Sequence, residues 1–430
     1  MKPSKIYALI DYEDEYVQPL LLKALQSRIP PELLVLIKDA SELPSPESKF
    51  LQWRQYESID FDRLMESSTS VLANSYVIRK ALIRKHYLST TVSHWLTKHP
   101  ESVLKDHVKP SVEFEVDYAE FLDDALVEAY ELKESWARNE VLGEDGESKE
   151  WWILKPGMSD RGQGIRLFSS EEELQAIFQE WDPPSDDEDE DAASHHGGSE
   201  EQNGTGNGVM ASQLRHFIAQ PYVHPPLILP PPHPSAGRKF HIRTYVLAVG
   251  ALEVYVYKPM LALFAGKPYV GPSEEGAPKA DLSSHLTNTC LQSGEREGSV
   301  HSFWQLPAAG PESTREDWKE DVFGQICSIT GEVFEAAARS MSVHFQPLPN
   351  AFEVFGLDFM VDAKGKTWLL EVNAFPDFAQ TGGELRSLIQ GLFEETVDVG
   401  ISPFFGIEHT TAAQGRGDMT QVLKIDLGRR

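Results

Sequence analysis

Phe355-Gly-Leu-Asp-Phe-Met-Val-Asp-Ala-Lys-Gly-Lys-Thr-Trp-Leu-Leu-Glu-Val-Asn373 consists of two alternating segments around a turn of Ala363, Lys364, Gly365 and Lys366, the pattern of a β-hairpin. With Asp362 set opposite Thr367, Phe359 meets Leu370, Val361 meets Trp368 and Leu357 meets Val372, an apolar face for a core. The other face carries Asp358 opposite Glu371, with Asn373 two residues further on. A slip of one residue would bury the carboxylates among these apolar groups, so the pattern predicts the register.

Two facing carboxylates repel, and without a cation one of them has to bind a proton. A hard divalent ion removes the conflict. Mg²⁺ takes oxygen ligands, commonly one or two carboxylates, and leaves the remaining positions to phosphates and water. Asp358, Glu371 and the amide oxygen of Asn373 meet that demand. On these residues alone, a metal site and an ordinary solvated hairpin face stand as alternatives.

Further pieces with chemical content lie upstream. Trp151-Trp-Ile-Leu-Lys-Pro-Gly-Met-Ser-Asp-Arg-Gly-Gln-Gly-Ile-Arg-Leu-Phe168 reads as strand, glycine loop, strand. Gly157, Gly162 and Gly164 allow a loop to close over phosphates, and Lys155 stands at the end of the first strand. The loop is neither a Walker motif nor a dinucleotide fingerprint. In Arg238-Lys-Phe-His-Ile-Arg-Thr-Tyr-Val-Leu247, strand alternation puts Lys239, His241 and Arg243 on one face, with Phe240 and Ile242 on the other. Lys suits a phosphate, while the Arg fork suits a carboxylate or acyl phosphate. Ser284-His-Leu-Thr-Asn288 is weak as isolated text.

Across the whole 430 residues, 39 Lys and Arg stand against 67 Asp and Glu, a formal net charge of −28. That argues against binding duplex nucleic acid, which rewards a basic surface. Two cysteines, Cys290 and Cys327, give neither a disulfide framework nor a zinc spacing. No apolar run approaches the ~20 residues of a membrane span. The apolar run Ile6 to Ile10 is too short for a signal segment, so a cytoplasmic protein without membrane contact is expected. The opening alternates as strand, helix (residues 17–25) and strand (residues 33–37), predicting a small α/β unit over residues 1–65. Residues 76–88 predict a helix with a basic cluster of Arg79, Lys80, Arg84 and Lys85, and residues 118–137 predict one amphipathic helix. Residues 182–208 hold the acidic run Asp186-Asp-Glu-Asp-Glu-Asp191 and almost no apolar residues, predicting a disordered insertion set at residues 182–214. A second surface insertion is expected over residues 293–318, and a patternless tail over residues 406–430. The expected division is completed by a central lobe over residues 66–181 and a C-terminal lobe over residues 215–405.

Taken in order, these pieces resemble the tubulin–tyrosine ligase family within the ATP-grasp fold. The matches are Trp152-Ile-Leu-Lys-Pro with Arg161-Gly-Gln-Gly-Ile, Ala219-Gln-Pro-Tyr-Val, Arg238-Lys-Phe-His-Ile-Arg, His285-Leu-Thr-Asn, and Phe355-Gly-Leu-Asp-Phe through Leu370-Glu-Val-Asn. The resemblance implies an α+β / α/β architecture in which a small N-terminal α/β domain precedes central and C-terminal lobes that grip ATP. It also implies ATP and Mg²⁺ as cofactors. Carried over by position, Lys155, Lys239 and Lys85 hold phosphates, and Gln220, Tyr222 and Val223 line the adenine. Thr287 and Asn288 lie near nucleotide and acceptor, and Asp358, Glu371 and Asn373 hold the metal. The implied reaction forms an amide: an acceptor carboxylate takes the γ-phosphate, and an amino-acid amine displaces phosphate from the acyl phosphate. Arg243, Lys239 and Glu371 are the catalytic candidates.

Two positions depart from the family pattern. Leu263 stands where the family commonly has Arg, and His241 where it has Asp. Both touch the acceptor side. The leading expectation is addition of tyrosine to the C-terminal carboxylate of α-tubulin, with the basic residues 79–85 receiving an acidic tail. The alternatives are a glutamate or glycine ligase on another acidic protein, and an ATP-binding scaffold in a protein or RNA–protein assembly.

Overall fold

The computed structural model describes residues 4–142, 149–157, 164–182, 215–272, 282–287, 299–307, 317–381, 383, 385–407 and 417–427. The acidic insertion therefore lies outside the described residues, as do residues 158–163 of the glycine loop and Asn288. In chain order the strands are β1 Ile6–Asp11, β2 Leu34–Ile37, β3 Lys49–Arg54, β4 Val71–Ala73, β5 Val112–Glu115, β6 Trp152–Pro156, β7 Arg166–Phe168, β8 His216–Pro221, β9 Arg238–Val249, β10 Glu253–Tyr257, β11 Leu261–Pro268, β12 Val300–Ser302, β13 Phe352–Val361, β14 Thr367–Ala374 and β15 Met419–Lys424. Two compact units form: residues 1–109, 223–269 and 283–430 in the first, and residues 110–222 and 270–282 in the second.

The first unit opens with the expected strand, helix and strand. β1 takes β2 and β3 as parallel neighbours, and β4 extends the sheet beyond β3, past the border expected at residue 65. The helix Val17–Arg28 buries Val17, Leu20, Leu21, Ala24 and Leu25, a 3.6-residue stripe. The larger sheet of this unit is organised on β9. One edge of β9 pairs antiparallel with β10 and β11, the other with β13, which in turn carries β14. Both faces of β9 are covered, which is why its interior residues are buried without alternation. Phe240, Ile242, Val246 and Ala248 enter one apolar cluster, while Tyr245 and Leu247 enter another.

The hairpin of β13 and β14 keeps the predicted register only at its outer end. Asp358 lies opposite Glu371, and Leu357 opposite Val372, but a bulge between Asp358 and Phe359 shifts the rest by one. Phe359 therefore meets Leu369 rather than Leu370, and Trp368 meets Met360 rather than Val361. The turn explains the shift: the Asp362 carboxylate accepts from the backbone N–H groups of Lys364 and Lys366 at 2.9 and 3.0 Å, and from Trp368 Nε1 at 3.0 Å. These bonds hold Trp368 at the rim, where Lys109 and Lys366 lie over its ring. The bulge interrupts the alternation at Leu370 and Glu371, both half-buried between buried Leu369 and Val372, and so keeps the carboxylate pair opposed.

Three further expectations are corrected. The segment after residue 293 is not wholly surface: β12 pairs with β11, and Phe303 and Leu306 enter the core. The tail includes β15, an edge strand on β10. Its residues are half-buried or exposed, and the helix Trp318–Ser340 comes close to its backbone: a Cβ on Gly331 would fall 2.8 Å from the Val422 carbonyl oxygen. Residues 76–88 form two helices, Lys80–Ile83 and Lys85–Lys98, divided at Arg84.

The second unit is the antiparallel sheet β5-β8-β6-β7 with helices packed on it. Its core is aromatic, with Phe217 edge-on to Phe178 at 4.9 Å and stacked on Trp181 at 5.9 Å. The single helix expected over residues 118–137 is instead a short turn, the helix Leu122–Ala125 and the helix Tyr130–Leu142. The break turns Leu126 and Ala129 inward together and leaves Phe121, Val127 and Tyr130 exposed.

Candidate functional site

β9, β13 and β14 bring five of the polar side chains singled out above to one place. Adjacent pairing sets Arg243 of β9 opposite Asp358 of β13, and Asp358 opposite Glu371 of β14. Arg243 grips Asp358 with its fork, Nε to Oδ1 at 2.5 Å and Nη2 to Oδ2 at 3.0 Å, and both residues are buried. Burial opposes the guanidinium's charge, but Asp358 outweighs it and raises the Arg243 pKa. Asn373 Nδ2 donates to Asp358 Oδ2 at 3.4 Å and to Glu371 Oε1 at 3.1 Å, so one amide ties the carboxylates together. Lys85 Nζ stands 3.9 Å from Glu371 Oε2, bringing the start of the helix Lys85–Lys98 to the same group.

His241 completes the wall. Its Nδ1 shares a 2.6 Å hydrogen bond with Thr287 Oγ1, and its Nε2 lies 3.7 Å from Asp358 Oδ1. Burial lowers the imidazole pKa, with Asp358 pulling the other way. Lys239, on the same face of β9, is also buried. Opposite His241 across the β9–β11 ladder is Leu263, 1% exposed and packed in the cluster of Tyr245, Leu261 and Phe378. The position where the resemblance leads one to expect an arginine is a core position in this chain.

Not every basic residue joins. Arg79, expected on an exposed basic helix, turns inward to Glu353 at 2.8 Å and lies over the Tyr56 ring at 3.8 Å. Lys80 and Arg84 face water. The surface offered to an acidic tail is thus smaller than the sequence implies.

Among the nucleotide candidates in the second unit, Lys155 donates to Gln220 Oε1 at 2.9 Å across the β6–β8 pair. The Tyr222 backbone N–H donates to the Trp151 carbonyl at 2.7 Å. Val223 is buried in the first unit.

One residue of this site was missed by sequence reasoning. The Arg243 side chain passes over Gly356: a Cβ there would fall 3.2 Å from Arg243 Cδ and 2.7 Å from Pro376 Cβ. The only textual signal was a glycine inside a strand, which marks a close approach. The tie from Asn373 to both carboxylates depends on β13–β14 geometry, and the grip of Arg243 on the β9–β13 neighbourhood, which no local pattern encodes.

The carboxylates of Asp358 and Glu371 are hard oxygen donors of the kind a divalent ion such as Mg²⁺ takes; Asn373 turns its Nδ2 to both, and its amide would have to rotate to offer Oδ1 as a third donor. Among the described residues no cluster of three or more His, Cys, Asp or Glu is arranged to hold a metal, so the amide is needed to complete this set.

The chain matches the model of the tubulin–tyrosine ligase family over residues 65–407. It is 44% identical over 428 residues to a probable tubulin–tyrosine ligase of Schizosaccharomyces pombe, covering 99% of this chain and 98% of that protein. It is 43% identical over 426 residues to the probable tubulin–tyrosine ligase PBY1 of Saccharomyces cerevisiae, covering 96% of this chain and 54% of that longer protein. The solved C-terminal domain of K. lactis Pby1, described as an ATP-grasp enzyme interacting with the mRNA decapping enzyme Dcp2, superposes with a TM-score of 0.70 at 36% identity over 98% of this chain and 99% of that one. No helix among the described residues is long and apolar enough to cross a membrane. With an ATP-grasp fold and a family match across most of its length, the chain belongs to the tubulin–tyrosine ligase family of ATP-dependent ligases.

Proposed function

We propose that this protein is an ATP-dependent carboxylate–amine ligase that activates a carboxylate of a protein acceptor as an acyl phosphate and joins it to an amino acid. The observation that carries this reading is the convergence of Asp358, Glu371 and Asn373 beside Arg243. The first two and the amide of Asn373 hold Mg²⁺. The ion, when bound, offsets the negative charge of the triphosphate. Lys155, Lys239 and Lys85 add point charges toward the phosphates, and Gln220, Tyr222 and Val223 serve the adenine. Thr287 fixes the imidazole of His241 on the acceptor side. Arg243 offers its fork to the carboxylate or acyl phosphate, groups whose geometry it matches. Asn288, next to Thr287 in the chain, serves nucleotide and acceptor.

Tyrosine and the C-terminal carboxylate of α-tubulin are the pair to test first, since two relatives carry that name with the qualifier probable. Purified, folded chain is incubated with ATP, labelled tyrosine and detyrosinated tubulin. Incorporation that disappears in Glu371→Gln supports the assignment, and none from a chain that binds ATP removes this acceptor. A second reading is favoured by Leu263 in place of the family arginine and by the neighbour that interacts with Dcp2. In it the chain binds a decapping enzyme and its acceptor is a protein of that assembly. Co-purification with Dcp2, followed by a mass shift on any component with ATP and an amino-acid mixture, tests this reading.

A further inference from the structure

We propose that Arg243 is a resident counter-ion of Asp358 which a divalent cation has to displace, so that affinity for the metal is set by this internal competitor. The inference rests on the metal reading above and goes beyond it. A guanidinium fork on a carboxylate engages both oxygens, and Arg243 does this at 2.5 and 3.0 Å. The remaining approaches to Asp358 are also from donor-bearing groups: Asn373 Nδ2 at 3.4 Å and His241 Nε2 at 3.7 Å. A cation that takes an Asp358 oxygen comes beside a guanidinium already bonded to both oxygens, and the repulsion between the two positive groups opposes its binding or loosens the fork.

The pairing is built into the fold. Arg243 and Asp358 are register partners on adjacent strands, and both are nearly excluded from water, at 6% and 5% exposure. Gly356 leaves room for the Arg243 stem, which a methyl group there would crowd. Glu371 differs in being partly exposed, with its carboxylate at the Asn373 amide and 3.9 Å from Lys85. Glu371, the more exposed of the two, would be the carboxylate open to an incoming ion, and Asp358 would join it only as Arg243 gives way. The displaced guanidinium becomes the group available to an incoming anion, so metal occupancy and Arg243 availability are one coupled event.

The test is titration of the full chain with Mn²⁺, without nucleotide, by calorimetry and by electron paramagnetic resonance of free Mn²⁺. An adjacent cation changes a carboxylate's affinity for a competing cation by roughly tenfold or more. Arg243→Gln, which keeps a polar group and loses the charge, is expected to bind Mn²⁺ at least about tenfold more tightly than wild type. Arg243→Lys cannot form the fork and keeps a buried cation, so it supplies a folded comparison should the Gln variant unfold; its Mn²⁺ affinity is also expected to exceed wild type. Equal or weaker Mn²⁺ binding in the folded variants overturns the competition. If Glu371→Gln abolishes Mn²⁺ binding while the Arg243 variants match wild type, the metal site stands and the competition fails. If folded wild type and variants all fail to bind Mn²⁺, the metal reading falls with it.

Discussion

Arg79 Nε stands 2.8 Å from Glu353 Oε1, and both side chains are almost wholly excluded from water. Glu353 also accepts from the Tyr76 backbone N–H at 3.1 Å. Its pKa is pushed up to about 7, because burial outweighs the opposing pull of Arg79. The pair lies in the core, so its consequence is for stability.

An acid whose pKa is raised on folding binds more protons in the folded than in the unfolded state between its ordinary value of 4.5 and about 7. Its contribution to stability is full below that window and declines as pH rises through it. Relative to Glu353→Gln, the wild type is expected to lose about 3 kcal/mol between pH 4.5 and 7, and little more above. Urea unfolding of both proteins across that range checks this; parallel curves would refute it.

Glu371→Gln removes one carboxylate from a partly exposed position. Loss of one preorganised group that stabilises transition-state charge, as measured for oxyanion-hole donors, typically costs about 10²–10³ in turnover. Acceptor-dependent ADP release is expected to fall by that factor while unfolding free energy shifts by less than about 1 kcal/mol. Retained turnover would separate Glu371 from the chemistry.

Gly356→Ala places a methyl 2.7 Å from Pro376 Cβ and 3.2 Å from Arg243 Cδ. Overpacking of this kind costs about 1–3 kcal/mol. The variant is expected to melt earlier and to perturb the Arg243–Asp358 pair. An unchanged melting curve would show that the strand yields without strain.

Leu263→Arg introduces a charge at a position only 1% exposed, opposite His241. An unpaired buried charge destabilises by roughly 3–5 kcal/mol. Combining it with His241→Asp sets a carboxylate opposite the new cation, and the two changes are expected to couple favourably by about 1–3 kcal/mol in a double-mutant cycle. Additive effects would mean that the two side chains do not interact.

Much of the site was legible in the text because a strand's alternation is local. The shared face of Lys239, His241 and Arg243 follows from a period of two, whereas the opposition of Asp358 and Glu371 is read correctly although the turn is one residue longer than expected, because the bulge offsets the difference. The bulge was not legible: it depends on Asp362 turning its carboxylate back onto the backbone N–H groups of Lys364 and Lys366 and the indole N–H of Trp368. Arg79 was misplaced for a related reason. Its helical neighbours Lys80 and Arg84 are surface residues, and only the packing of β13 supplies the carboxylate that draws Arg79 inward.

By itself the sequence determined which side chains share a face and which oxygen donors could meet a hard cation, since side-chain direction along a strand follows from backbone geometry alone. Only the tertiary structure decided that Asp358 faces Arg243 and that Leu263 belongs to the core. Those pairings join residues far apart along the chain, and they are fixed by the neighbourhood of β9, β11 and β13 and by the burial that neighbourhood imposes.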